Sequence, residues 1–291
     1  KYDLVKRLFK DADAILNVPI TKIIFEGPEN KLNSTENTQP AIFLASYCIF
    51  EIIKKEFEYD FKKFKYFAGH SLGEYSALAC VGSISFEDTL KILQKRGKFM
   101  QEAVPSGEGT MLAVLGMSSK ELDKILEVNR KKYECFIAND NSNLQLVVSG
   151  LKKDINLLSN DLNNKKVKNL KLNVSAPFHC KYMKVASEKM TGYINDLKMN
   201  DLEKPIISNV TASETSSPKE IRSLLISQIE KKVRWLESVE YMINNGVKNF
   251  VEIGPGKVLS GLIKRINKNV NIHSINSDDD IKLLINDKLK K

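Results

Sequence analysis

The stretch Gly69-His70-Ser71-Leu72-Gly73 most constrains how this chain can fold. It carries the G-x-S-x-G pattern of a nucleophile elbow, a sharp strand-to-helix turn with a serine at its tip. Tyr66-Phe67-Ala68 before it reads as the end of a short strand, and Glu74 to Ala79 after it reads as the start of a helix. Both glycines are expected where side chains would clash. The turn exposes the serine hydroxyl and aims the free N–H groups of the helix start at any negative charge nearby. A serine so placed suits attack on an acyl group. The pattern also arises by chance, so a plain turn stands beside that reading until context is added.

The wider pattern supplies the context. Tyr2 to Leu16 is helical, and Pro40 opens a long helix to about Phe57, with Ala41, Leu44, Cys48 and Ile52 at helical spacing. Phe86 to Val104 is a further helix, broken by Pro105-Ser106-Gly107. The order then changes. Strand Thr110–Leu115, a helix capped by Ser118 and Glu121, strands Cys135–Ala138 and Leu144–Ser149, helix Asp154–Leu162 and strand Val167–Val174 follow. That is the β-α-β-β-α-β order of a ferredoxin-like unit. Helices at about Lys181–Leu197, Pro218–Glu230 and Ser238–Asn245 then alternate with strands Ile206–Val210, Asn249–Ile253 and Asn271–Ile275, and the Lys/Asp-rich tail is expected to fray. Helices alternating with short apolar strands imply a mainly parallel sheet covered on both faces. The expected fold is α/β: an α/β-hydrolase-like large domain, residues 1–107 and 176–291, with an inserted ferredoxin-like small domain at 108–175.

Composition narrows the function classes. With 42% hydrophobic and 28% charged residues, the chain reads as an ordinary soluble globular protein. No apolar run approaches the roughly 18 residues a membrane span needs, so no membrane partner is expected. Four scattered cysteines lack C-x-x-C spacing and read as reduced, buried thiols, and no cluster has metal-ligand spacing. The net charge of +9 fits either a basic surface for an acidic partner or a lysine-rich compositional habit. Nucleic acid is disfavoured, because the lysines are not interleaved with aromatics.

Few residues can do chemistry beside Ser71. Of three histidines, His70 lies inside the elbow, His273 reads as structural, and His179 sits where the small domain returns to the large one. His179 is the candidate base, with a helix-capping role as the other reading. No acid sits in a recognisable triad context, and Glu74 reads as a first-turn stabiliser of the elbow helix. Arg96 faces inward among Leu90, Leu93, Gly97 and Met100, so it needs an anion: an internal carboxylate or one on a substrate. Gly254-Pro255-Gly256-Lys257 reads as a structural turn, with a phosphate cradle as the lesser alternative.

Taken together, Gly69 to Leu78, Arg96-Gly97-Lys98-Phe99-Met100-Gln101, Pro177-Phe178-His179 and Gly254-Pro255-Gly256 resemble the malonyl-CoA:acyl carrier protein transacylases of type II fatty-acid synthesis. The likeness spans essentially the whole chain, including Thr38-Gln39-Pro40 and Trp235 to Val239. It implies Ser71 as nucleophile, His179 as base and acid, and Arg96 as the grip on a malonyl carboxylate. It implies that the Gln228 backbone carbonyl orients His179, that the Leu72 N–H is an oxyanion donor, and that Phe178 narrows the pocket against α-methyl substrates. The family's opening strand and Gly-Gln-Gly-Ser-Gln loop, which supplies a second oxyanion donor, have no counterpart here, so residues upstream are expected. The resemblance also implies a coenzyme A thioester and acyl carrier protein as partners, no metal or redox cofactor, and a monomer. The expected location is bacterial cytoplasm or, in a eukaryote, a plastid-type (apicoplast-like) organelle. A thioesterase-like serine hydrolase and a non-catalytic acyl-carrier-binding relative are the alternatives.

Overall fold

The computed structural model describes residues 1–288. Helices α1 (Asp3–Leu16), α2 (Ile20–Glu26), α3 (Glu29–Leu32) and α4 (Thr35–Lys55) lead to strand β1 (Phe67–Ala68), elbow helix α5 (Gly73–Cys80) and α6 (Phe86–Gln101). Then come β2 (Gly109–Leu115), α7 (Ser119–Val128), β3 (Cys135–Ser142), β4 (Gln145–Leu151), α8 (Lys152–Asn164) and β5 (Asn169–Lys171). The chain closes with α9 (Lys184–Asn195), β6 (Ile206–Ile207), β7 (Glu214–Thr215), α10 (Pro218–Gln228), α11 (Trp235–Asn244), β8 (Asn249–Ile253), α12 (Val258–Ile266), β9 (Asn271–Ile275) and α13 (Asp278–Lys288). Among these, no helix is long and apolar enough to cross a membrane.

The fold is the expected α/β class. β1 runs parallel to β6, with Phe67 opposite Ile206 and Ala68 opposite Ile207, and β8 runs parallel to β9. Among the described residues outside β2 to β5, only the short β6–β7 pairing is antiparallel. The main core joins chain segments far apart in sequence: Leu44, Tyr75, Leu78 and Leu93 pack with Met183, Ile206 and Leu225. A four-stranded antiparallel sheet in the order β3-β4-β2-β5 stands beside it. α7 and α8 cover one face of that sheet, burying Leu112, Val148, Leu122, Ile155 and Leu158 in a core of their own.

Local chemistry explains most element ends. Ser85, Ser118 and Ser217 cap α6, α7 and α10 by accepting from the third N–H beyond them, and Glu121 completes a capping box on α7. Several elements depart from expectation: β5 and β6 are shorter than expected, α11 starts earlier, at Trp235, and α2, α3 and β7 are additional; α4, β3 and α13 differ most. α4 begins at Thr35, not at Pro40, which lies buried inside it. Asn37 and Thr38 fix that early turn, their side chains donating to the carbonyls of Lys31 and Leu32. β3 runs on to Ser142 instead of ending at Ala138. The Lys/Asp-rich tail forms α13 as far as Lys288 instead of fraying, because Ser277 caps it and Ile281 and Leu284 are buried beside Ile52 and Ile275; residues 289–291 lie outside the described residues.

Candidate active site

The elbow is built by one close approach. A Cβ on Gly69 would lie 1.9 Å from the carbonyl oxygen of Gly73, so only glycine fits there. A Cβ on Gly73 would meet nothing within 4 Å, which corrects the expectation that both glycines are sterically required. Ser71, between them, is held at φ 53°, in the left-handed region that non-glycine residues seldom occupy. Gly69→Ala is therefore expected to unfold the elbow or abolish activity. Gly73→Ala should leave thermal stability and turnover close to wild type, as a melting curve and an initial-rate assay would show.

Ser71, His179 and Arg96 come together from three separate elements. Ser71 Oγ lies 2.8 Å from His179 Nε2, and His179 Nδ1 lies 2.8 Å from the Gln228 carbonyl oxygen. A carbonyl can only accept, so Nδ1 carries the proton and Nε2 presents its lone pair to the serine hydroxyl. That arrangement leaves the Nε2 lone pair facing the Ser71 hydroxyl, with a backbone carbonyl and no carboxylate behind Nδ1. His179 is 4% exposed, and burial, followed by the charge of Arg96, pushes its pKa down to about 3. The imidazole is thus neutral throughout the physiological range.

A stability consequence follows from that shift. Between the ordinary histidine value of 6.5 and about 3, the unfolded chain binds a proton at His179 that the folded chain refuses. The stability contributed by the neutral imidazole is complete above that window and is lost as the pH falls through it. The melting temperature of wild type minus that of His179→Gln is expected to shrink as the pH is lowered from about 7 to about 4. A constant difference would contradict the assignment.

Arg96, on α6, is 1% exposed. Its Nη1 donates to Gln39 Oε1 at 2.7 Å, and its Nη2 donates to Gln228 Oε1 at 2.9 Å and to Ser71 Oγ at 3.2 Å. Its Nε has no partner, and no carboxylate among the described residues is within ion-pair distance. Of the two anions considered from sequence, the internal carboxylate is therefore absent as a direct partner. Gly97 lets α6 press on the start of α4, since a Cβ there would sit 2.3 Å from the Thr35 carbonyl oxygen. That contact carries Arg96 inward.

Glu74 does more than sit in the first turn of α5. It is 1% exposed, and its Oε2 accepts from Gln228 Nε2 at 2.6 Å and from the Asn209 N–H at 3.1 Å. Burial pushes its pKa up to about 7, against the pull of those hydrogen bonds and of Arg96. Gln228 consequently bridges Glu74 and Arg96 through its amide, while its backbone holds His179.

Asn209 has no precedent in the sequence reading. It follows β6, takes the Ser71 N–H on Oδ1 at 2.7 Å, and donates from Nδ2 to the Gly69 carbonyl at 2.8 Å. Its place just beyond the carboxyl end of a parallel strand is the available signal. With the Ser71 N–H occupied, the neighbouring Leu72 N–H has no acceptor among the described residues and points from the start of α5. His70 donates from Nε2 to Asn141 Oδ1 at 2.8 Å and lies beside the Trp235 ring. Phe178 is half-buried between the main core and a small cluster formed by Met111, Ala138 and Val147.

Other candidates fall outside the site. His273 lies on β9. The start of α12 is already occupied by Glu252, whose carboxylate accepts from the Leu259 and Ser260 N–H groups at 2.9 and 2.7 Å, so the Gly254-Pro255-Gly256 turn is structural. The cysteines are free thiols; Cys48, Cys135 and Cys180 are buried, but Cys80 is only half-buried, at the end of α5.

The acyl transferase domain family matches residues 5–279. The malonyl CoA-acyl carrier protein transacylase of Bacillus subtilis (strain 168) is 40% identical over 283 residues, covering 96% of this chain and 88% of that protein. The acyl-carrier-protein-S-malonyltransferase of Bartonella henselae superposes with a TM-score of 0.94 at 36% identity, over 98% of this chain and 91% of that one. A malonyl-transacylase solved in complex with its type II PKS acyl-carrier protein gives a TM-score of 0.94 at 33% identity, over 98% and 92% of the two chains. An elbow serine backed by histidine and a buried arginine, on a fold shared over most of both chains with these proteins, leaves one assignment: the chain belongs to the acyl transferase domain family, among its malonyl CoA-acyl carrier protein transacylases.

Proposed function

We propose that this enzyme transfers malonyl from malonyl-CoA to the phosphopantetheine thiol of acyl carrier protein, through a malonyl ester on Ser71, in fatty-acid biosynthesis. The observation that carries the reading is Arg96: a buried guanidinium beside the nucleophile, hydrogen-bonded to two amides and a hydroxyl and set over the Tyr75 ring, with no carboxylate of the described residues in ion-pair contact. Burying such a charge without an anion is costly. A malonyl carboxylate supplies the anion, and two parallel hydrogen bonds would fix its orientation.

The first half-reaction follows from the hydrogen bonds. Ser71 Oγ attacks the thioester carbon as its proton moves to His179 Nε2. The Leu72 N–H receives the developing oxyanion. Collapse breaks the carbon–sulfur bond, and His179 returns the proton to the departing coenzyme A sulfur. In the second half, His179 takes the proton of the carrier's thiol, the thiolate attacks the ester, and Ser71 leaves with that proton. Pairing of Arg96 with the substrate carboxylate also offsets one cause of the low His179 value, strengthening the base when a malonyl group is bound. These residues supply nucleophile, base and oxyanion donor, so the proposal calls on no metal or redox cofactor.

The related malonyl-transacylase bound to an acyl-carrier protein supports the same partner here, and the charge of +9 favours encounter with an acidic carrier. Phe178, next to the base, is proposed to exclude α-methyl groups. Phe178→Ser should raise methylmalonyl loading relative to malonyl loading in a direct competition, and an unchanged ratio would remove that role. Four free thiols fit a reducing compartment, and we propose bacterial cytoplasm or, in a eukaryote, a plastid-type organelle. A chase separates transferase from hydrolase. Chain preloaded with labelled malonyl should pass the label to added holo acyl carrier protein and hold it when only buffer is added. Release of free malonate at the same rate in both cases would favour the hydrolase.

A further inference from the structure

The small domain's sheet reaches the catalytic pair at three points. Asn141, on β3, accepts from His70, the residue before Ser71, at 2.8 Å. Ser149, on β4, donates from Oγ to the carbonyl of Phe178, the residue before His179, at 2.5 Å. Val233, in the loop that leaves Gln228, pairs with β3 through its N–H to Ala138 O at 2.8 Å and its carbonyl to the Asp140 N–H at 2.9 Å. Nucleophile, base and orienter are thus each held, close by in sequence, from a single sheet.

The way β3 is built fits that task. Its register shifts between Ile137 and Asn139 and again between Asp140 and Ser142. Such bulges re-aim side chains and gather next to active sites. Here they bury four polar residues in a row, Asn139, Asp140, Asn141 and Ser142, at 6%, 5%, 7% and 2% exposure. Apolar side chains would make a plain domain contact at lower desolvation cost. Ser149 is fully buried as well.

The pair being held is strained. Ser71 and His179 have φ of 53° and 57°, both left-handed and neither glycine. Such conformations persist only where the surroundings over-determine them. The peptide that joins Phe178 to His179 sets the direction of the imidazole, and its carbonyl is the group Ser149 grips.

We propose that the β3–β4 edge is a positioning template for the Ser71–His179 pair: Ser149 and Asn141 fix the residues immediately before the base and the nucleophile and act through them. The proposal rests on the malonyl-transfer reading of the site.

Single-turnover loading of the full chain with malonyl-CoA tests it, with the Ser71 peptide followed by mass. The amplitude reports the fraction of competent chains, and the first-order rate constant reports the geometry. Ser149→Ala is expected to lower the rate constant about tenfold or more at near-full amplitude, since small misplacements of reacting groups carry costs of that order. Ser149→Thr keeps the hydroxyl and should recover most of the rate. Ser83→Ala removes another fully buried hydroxyl, one that donates to Asn200 O at 3.0 Å, and should leave the rate constant unchanged. Asn141→Ala tests the second pin with the same readout, and decides the matter if Ser149→Ala does not fold. Rate constants for Ser149→Ala and Asn141→Ala within about twofold of wild type, or an equal slowing in Ser83→Ala, would overturn the template. A wild-type chain that never loads would instead sink the proposed function.

Discussion

Arg96→Ala is expected to lose malonyl loading while retaining or gaining acetyl loading. Removing one partner of a buried charge pair costs about 2–5 kcal/mol, which is roughly 30-fold to several-thousand-fold in loading of the carboxylated substrate. Acetyl-CoA has no carboxylate to lose. Its loading also benefits on a second count, because the positive charge of Arg96 is one cause of the depressed His179 value. The side chain holds Gln39 and Gln228 too, so some stability is lost with it. The ratio of acetyl to malonyl loading is therefore the quantity to measure, since a partly unfolded population cancels from it. An equal fall for both substrates would assign Arg96 a purely structural role.

His179→Ala is expected to lower turnover by about 10⁴-fold or more, the scale seen when one member of a serine–histidine unit is removed. The geometry makes the loss specific. Nδ1 is committed to the Gln228 carbonyl, so Nε2 is the only basic atom aimed at Ser71 Oγ. A backbone carbonyl orients the base here, and its charge does not change with pH. Binding of malonyl-CoA should survive the substitution, because the residue proposed to grip its carboxylate, Arg96, lies on α6. Steady-state turnover and equilibrium binding of malonyl-CoA to His179→Ala check both halves. A variant with turnover within tenfold of wild type would require another base.

Some of this was legible in the sequence because the residues concerned are rare. There are three histidines, and one follows the small domain directly. An arginine among leucines on a helix face calls for an anion, and that marks Arg96 from the sequence alone. Ser71 announced itself through the spacing of its glycines, although only Gly69 is sterically required. The ferredoxin-like order was legible because its strands are apolar and its turns are polar.

What was not legible depends on tertiary placement. Asn139 to Ser142 is a polar run that reads as a loop, yet it is buried strand, because its partners lie in the large domain. The side-chain roles of Asn209 and Gln39 are not set by their neighbours in sequence; they lie in hydrogen bonds to residues more than a hundred and more than fifty positions away, respectively. The role of the Gln228 carbonyl is invisible in principle, since every residue has one. It came from resemblance, and the 2.8 Å contact to His179 supports it. Pro40 misled because proline favours helix starts, whereas here Asn37 and Thr38 secure a turn ahead of it.

The most direct test of a malonyl-serine transferase is the mass of the chain after mixing with malonyl-CoA. One malonyl group should appear per chain, on the peptide containing Ser71, and vanish when holo acyl carrier protein is added. Ser71→Ala should gain none. Absence of the adduct in a folded wild-type chain, or its undiminished appearance in Ser71→Ala, would contradict the account.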